Sequence, residues 1–168
     1  MPSKSSTSIE TPATDTESVD ISARFAAIDR LYGHGATERI AALHVCVVGL
    51  GGVGSWAAES LARTGVGAMT LIDYDTVCPT NINRQVHALS DTVGKKKSTV
   101  LAERIQGINS ECRVEIIDDY LTERTLDDYL SLKRGYGYVI DAIDSIKFKA
   151  ALIYYCKRNK IPVITTGA

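Results

Sequence analysis

The run Val47–Gly65, VVGLGGVGSWAAESLARTG, passes from β-branched apolar residues through Gly49, Gly51, Gly52 and Gly54 into a helical pattern. A strand has to end, the backbone has to turn sharply, and a helix has to begin, all in a few residues. The spacing Gly49-x-Gly51-x-x-Gly54 lets the main chain turn tightly and approach a phosphate closely, while N–H groups at the helix start bind its charge. The same turn also serves as a plain strand–helix connection, but its flanking elements favour a nucleotide phosphate. Asp73 ends the next apolar run, where a carboxylate can accept hydrogen bonds from ribose hydroxyls. A hydride-carrying nicotinamide dinucleotide and an ATP that activates a carboxylate both use this pair. The glycines and Asp73 therefore leave both open.

The rest of the chain repeats the strand–helix alternation. The segment ISARFAAIDRLYGHGATERIAAL reads as two short helices broken around Gly33 and Gly35. Strands are expected at 44–49, 68–73, 113–118 and within YGYVIDAID (136–144), with a fifth in IPVITTG. Between them, a helix over 53–64 has Val53, Ala57, Leu61 and Ala62 at helical spacing and Gly65 as its stop. Further helices are expected from about Lys95 to Ile108, over LTERTLDDYLSL opened by Thr122, and from a Ser145 cap to about Asn159. Such alternation gives an α/β fold: a Rossmann-like parallel sheet with flanking helices and right-handed crossovers. Ligands of these sheets bind beyond the carboxyl ends of the strands. Segments 49–54, 73–84, 141–145 and 165–167 are therefore expected to converge.

At 168 residues, with 45% hydrophobic and 23% charged positions, the chain suits one globular domain. A net charge of −1 gives no global attraction to nucleic acid, so an RNA partner would need a local basic patch. Cys46, Cys78, Cys112 and Cys156 include no CxxC pair, which argues for reduced thiols rather than a zinc site or disulfide framework. Cys46 is expected in the core, and Cys78, in a polar loop, is the one expected to be accessible. No apolar run reaches bilayer length, and the Ser-, Thr- and acid-rich N-terminus lacks the features of a signal peptide or mitochondrial presequence. A soluble, cytoplasmic chain with no membrane association is expected.

The loop after Asp73 separates the two nucleotide readings. DYDTVCPTNINRQVHALSDTVGKKK carries Asp73, Asp75, Asn81, Asn83, Arg84 and Gln85, then Lys95–Lys97. Hydride transfer needs a flat nicotinamide pocket with little positive charge nearby. Phosphoryl or adenylyl transfer needs cations on the departing phosphates and a carboxylate for magnesium. Arg84 and Lys97 meet the first need and Asp144 the second. Each charge alone reads as a solvated surface residue, and the combination at one sheet end is what carries weight.

The strings VVGLGGVGS, TLIDYDTVCPTNINRQ, TVGKKK, VIDAIDS and PVITTGA, with RLYG, resemble the ubiquitin-activating-enzyme-like (ThiF-type) superfamily from Arg24 to the chain end. RLYG, NINRQVHAL, GSWAAESLARTG and VIDAIDSIKFKAALIYYCKRNKIP are most similar to its branch of tRNA threonylcarbamoyladenosine dehydratases. The resemblance implies ATP-dependent cyclisation of threonylcarbamoyladenosine at tRNA position 37, with loss of water after activation of the threonine carboxylate. The neighbouring carbamoyl nitrogen then closes the ring intramolecularly, gaining a large effective concentration. It implies ATP and Mg2+ as cofactors, modified tRNA as substrate, a homodimer, and a sulfur-relay protein as a further partner. It assigns the phosphates to the backbone around Gly51 and Gly52, between Gly49 and Gly54, and the ribose to Asp73, with Asp75 beside it. It assigns nucleotide binding to Asn81, charge stabilisation to Arg84, a catalytic role to Lys97 and magnesium to Asp144. Ser145 stands where carrier-activating relatives often have Asn. Arg30 of RLYG matches an arginine that reaches the nucleotide across the dimer.

The Ser-, Thr- and acid-rich composition reads residues 1–22 as a disordered extension, and the resemblance makes residues 23–168 an ATP-binding domain, expected to be incomplete at its C-terminus. Such a chain is expected to keep nucleotide affinity without efficient turnover, and to present an apolar edge at its fifth strand. The alternative function is an adenylyltransferase that activates the C-terminus of a ubiquitin-like sulfur carrier. A dinucleotide oxidoreductase is disfavoured by the Asn-Arg and lysine segments. Lys95–Lys97, Lys147, Lys149, Lys157, Arg158 and Lys160 are candidates for a basic RNA surface, against the plainer reading of solvated lysines on amphipathic helices.

Overall fold

The computed structural model describes residues 21–166. The expected N-terminal extension lies almost wholly outside them, and so does Gly167 of the fifth expected segment. Five strands, β1 (His44–Val48), β2 (Ala68–Ile72), β3 (Arg113–Ile117), β4 (Tyr138–Asp141) and β5 (Val163–Thr165), form one sheet in the order β3-β2-β1-β4-β5. All four pairings are parallel. β1 is central because its residues tolerate burial on both faces: Val45 and Val47 face one layer, Cys46 and Val48 the other. The first layer holds α4 (Gly54–Thr64) and α5 (Lys97–Ile108), through Ala58, Ala62, Leu101 and Ile105. The second holds α6 (Leu126–Tyr129) and α7 (Ile146–Arg158), through Leu126, Leu152 and Cys156.

Three local expectations change. The N-terminal segment forms three helices, α1 (Ile21–Phe25), α2 (Ala27–Tyr32) and α3 (Ala36–Ala41), with a further break at Ala26. The buried face of α4 runs through Gly54, Ser55, Ala58, Glu59 and Ala62, with Glu59 turned to Arg104 of α5; Ala62 and Leu61 pack on the core as expected, but Val53 is exposed. Thr122 does not open a helix. The Thr125 N–H and hydroxyl instead donate to the Thr122 carbonyl, at 3.1 and 3.3 Å, so that carbonyl closes a tight turn rather than a helical bond to residue 126. Only the single turn α6 and a 3-10 turn at Leu132–Arg134 follow.

The register sets the site. Val48 lies opposite Ile72 and Asp141, and Asp141 opposite Thr165. Gly49, Asp73, Ala142 and Thr166 therefore leave the sheet side by side. The chain turns to opposite sides after β1, first to β2 and later to β4, so this is the topological switch point where open α/β sheets bind ligands. Helices α1–α3 lie at the other end. Phe25 packs on Gly65 at the far end of α4, and Arg24 donates to the Ile108 carbonyl at 2.7 Å.

Candidate nucleotide site

The glycine turn is built by close approach. Gly49 has φ +86°, and a Cβ there would sit 2.8 Å from the Ala142 carbonyl oxygen. A Cβ on Gly54 would sit 1.7 Å from the Gly49 oxygen. These two positions close the turn against β4's exit and against itself. Gly51 and Gly52 face the loop after β2: the Arg84 side chain lies 3.4 Å from where a Gly52 Cβ would be. Helix α4 starts with no side-chain cap, because Val53 has no polar group to offer, so the turn ends on a bare helix N-terminus.

Asp73 locks the two segments together. One carboxylate oxygen accepts from the Leu50 N–H at 2.6 Å, the other from the Asp75 N–H at 2.8 Å. Each oxygen keeps a second acceptor direction, so the carboxylate can still meet a ribose hydroxyl. Asn81 is buried and its side-chain oxygen accepts from the Cys78 N–H at 2.9 Å, shaping the 3-10 turn Pro79–Asn81. That turn carries Arg84, whose guanidinium donates to the Thr80 carbonyl at 2.9 Å and to Asn83 Oδ1 at 3.1 Å. Trp56 Nε1 donates to the Arg84 carbonyl at 3.0 Å, tying the arginine's backbone to α4. Among the described residues Arg84 has no acidic partner.

The three adjacent lysines take three environments. Lys95 is exposed, Lys96 pairs with Asp118 at 2.8 Å, and Lys97 is buried with its Nζ 2.8 Å from Asp75. The helix begins at Lys97, not Lys95, because Lys96 is extended and bridges to Thr76. Asp144 is exposed and makes no hydrogen bond within the described residues. Ser145 occupies the N-cap position of α7, but its side chain makes no capping bond, contrary to expectation. Arg30 is exposed on α2 at the opposite end of the sheet, so one chain does not bring it to the glycine turn. Cys46 is buried and Cys78 exposed, as the sequence indicates. The Thr80 hydroxyl, then the Thr80 backbone and the charge of Lys97, hold the Cys78 thiol below its ordinary pKa.

Two buried features escape sequence reading. Asp141 ends β4 with no exposure, and its Oδ2 accepts from Lys149 Nζ at 2.7 Å and the Thr165 hydroxyl at 2.5 Å. It joins the exits of β4 and β5 to the first turn of α7. In VIDAIDS two aspartates stand three residues apart, and only the pairing of β4 with β1 and β5 marks the first as the buried one. The second feature is a row of buried polar atoms beside the turn. Gln85 Oε1, both His87 ring nitrogens and Ser98 Oγ have no protein partner among the described residues.

His87 is 1% exposed, and burial, reinforced by Lys97 and Arg104, pushes its pKa down to about 4. The unfolded ring binds a proton near 6.5, so acidification between these values favours the unfolded chain. His44, also depressed by burial, acts in the same direction. Stability is full above pH 6.5, and the His87 contribution alone costs about 2 kcal/mol on going from pH 7 to pH 5. Denaturant midpoints at the two pH values should separate strongly for the parent and less for His87→Leu. Equal separations would show that His87 is not the responsible group.

The ThiF family model matches residues 23–168. The chain belongs to the ThiF family. Within it, this ThiF-family chain is 62% identical over 144 residues to the tRNA threonylcarbamoyladenosine dehydratase of Escherichia coli K12, covering 86% of this chain and 53% of that protein. It is 57% identical to the protein of that name from Haemophilus influenzae, covering 86% of this chain and 54% of the relative. Its fold matches the E. coli tRNA N6-threonylcarbamoyladenosine dehydratase in complex with ATP, with a TM-score of 0.85 and 60% identity, over 88% of this chain and 60% of that one. The chain spans about half the length of the curated relatives it matches. Among the described residues no helix is long and apolar enough to cross a membrane.

Proposed function

We propose that this chain carries the ATP site of a tRNA threonylcarbamoyladenosine dehydratase, which activates the threonine carboxylate so that the modified base cyclises with loss of water. One observation carries the choice of ATP over a dinucleotide: Arg84, without an acidic partner among the described residues, lies across Gly52 at the uncapped start of α4. A dinucleotide pyrophosphate stays bound and is met chiefly by the helix start, whereas a departing phosphate gains charge during transfer and calls for an added cation. The likeness to dehydratases, one of them in complex with ATP, supports the substrate.

The residues fit the nucleotide. Gly51 and Gly52 leave room for phosphates that a side chain would fill, and Asp73 has acceptor capacity for the ribose. ATP, when bound, supplies the leaving group for the carboxylate. Asn81 shapes the loop, Arg84 offsets negative charge on the phosphates, and Lys97, held by Asp75, presents a second cation. No three His, Cys, Asp or Glu side chains cluster as a metal site among the described residues. Mg2+ needs no such cage, since it is commonly held by one or two carboxylates and the phosphates themselves. Asp144, exposed and without a hydrogen bond among the described residues, is a carboxylate available for it. Arg30 would join this site only from a second copy of the chain, in the homodimer of this reading, and the sulfur-relay partner belongs to the same reading.

ATP affinity and ATP-dependent loss of water from threonylcarbamoyladenosine in tRNA test the proposal. Arg84→Ala should lower the rate about 10²–10³-fold, the size seen when one transition-state charge donor is removed. Binding of NAD without ATP, or cyclisation indifferent to Arg84→Ala, would overturn it.

A further inference from the structure

The structure sorts the basic residues that the sequence could only collect. Lys96, Lys97 and Lys149 are paired with Asp118, Asp75 and Asp141. Lys147, Lys157, Arg158 and Lys160 are exposed and form no ion pair among the described residues. From Ser145 to Ala168 the sequence holds five cations and no Asp or Glu, in a chain whose net charge is −1. On α7, Lys147, Tyr154 and Arg158 recur at i, i+7 and i+11, which aligns them along one helix face over about 16 Å. Tyr154 is 65% exposed in this row, and Lys157 flanks it.

Helix electrostatics explains only half of the row. Lys157 and Arg158 sit in the last turn, where the macrodipole favours cations. Lys147 sits in the first turn, where it disfavours them. Its neighbour Lys149 is compensated by buried Asp141, but Lys147 has no such partner among the described residues and stands three residues from Asp144. A cation held at the unfavourable end, next to the proposed site, is suited to an external anion.

We propose that this face of α7 is the track on which the tRNA backbone lies, with Lys147, Lys157 and Arg158 on phosphates and Tyr154 against an unstacked base. The inference rests on the dehydratase reading for its substrate. Backbone phosphates spaced along a strand match cations distributed along a helix, and an exposed tyrosine between them provides a stacking surface. The track starts at α7's first turn, so it leads the RNA toward the carboxyl ends of the strands.

The full chain would be titrated with tRNA across a salt series, as parent, as the triple variant Lys147→Gln, Lys157→Gln, Arg158→Gln, and as Tyr154→Ala. The triple variant should bind at least tenfold more weakly at low salt, and its log–log salt slope should fall by about 2, the value for three lost single-strand phosphate contacts. Tyr154→Ala should bind about tenfold more weakly with an unchanged slope. ATP affinity should match the parent in both, showing that the fold and the nucleotide site are intact. Parent-like tRNA affinity and slope in the triple variant, or no tRNA binding by the parent, would overturn the track. Failure of the dehydratase reading shows separately: tRNA binding that depends on these residues, with no ATP-dependent loss of water even from the parent, keeps the track and removes the reaction.

Discussion

Gly54→Ala should abolish measurable ATP binding and lower stability by about 3 kcal/mol or more, the range for severe overpacking. The added methyl carbon would sit 1.7 Å from the Gly49 oxygen and 3.1 Å from the Ala142 side chain. Neither neighbour is a flexible side-chain end, so relief requires moving the glycine turn away from β4's exit. Gly67→Ala separates the local effect from the global one. Its Cβ would lie 1.8 Å from the Ala41 oxygen, an overlap of the same size at the opposite end of the sheet. Both variants should lose comparable stability in denaturant. At a temperature where each remains folded, Gly67→Ala should bind ATP as the parent does, and Gly54→Ala should not. Equal affinity in the two folded variants would mean that the turn does not hold phosphate.

The central sheet was legible because burial on two faces demands near-continuous apolar runs, as in VCVV and in AMTLI, where the one polar residue, Thr70, bonds to His44. The glycine turn was legible because its close approaches admit no side chain. Elsewhere the deciding forces are tertiary. The segment after Thr122 has helical spacing, but Thr125 takes the Thr122 carbonyl with its N–H and hydroxyl and closes a turn there. In VIDAIDS, nothing local distinguishes the aspartate that is buried from the one left exposed. Pairing of β4 with β1 and β5 makes that choice, burying Asp141 and freeing Asp144. The lysine run is similar: the Thr76–Lys96 bridge decides that Lys97 turns inward to Asp75. Arg30 lies beyond any reading of one chain, since the fold carries it to the far end of the sheet.

The pair Asp141–Lys149 carries the other large effect. Lys149→Met should destabilise the chain by about 3–5 kcal/mol, because it leaves a carboxylate with no exposure without its countercharge. The Thr165 hydroxyl and the Ile143 N–H still reach that carboxylate, at 2.5 Å and 3.2 Å, but neither neutralises it. Asp141→Asn should cost less, since the asparagine oxygen keeps one of these acceptor roles and the long Lys149 side chain can carry its charge toward water. The double variant, Asp141→Asn with Lys149→Met, should recover much of what Lys149→Met alone loses. Additive losses in denaturant melts would show that the pair is not energetically coupled. The functional consequence follows from position. Lys149 is in the first turn of α7, and Asp144 and Ser145 lead into that turn. Releasing Lys149 from Asp141 frees the segment on which Asp144 is displayed. Mg2+-dependent ATP affinity should therefore fall in Lys149→Met even where the protein is folded, and metal-free ATP binding should fall less.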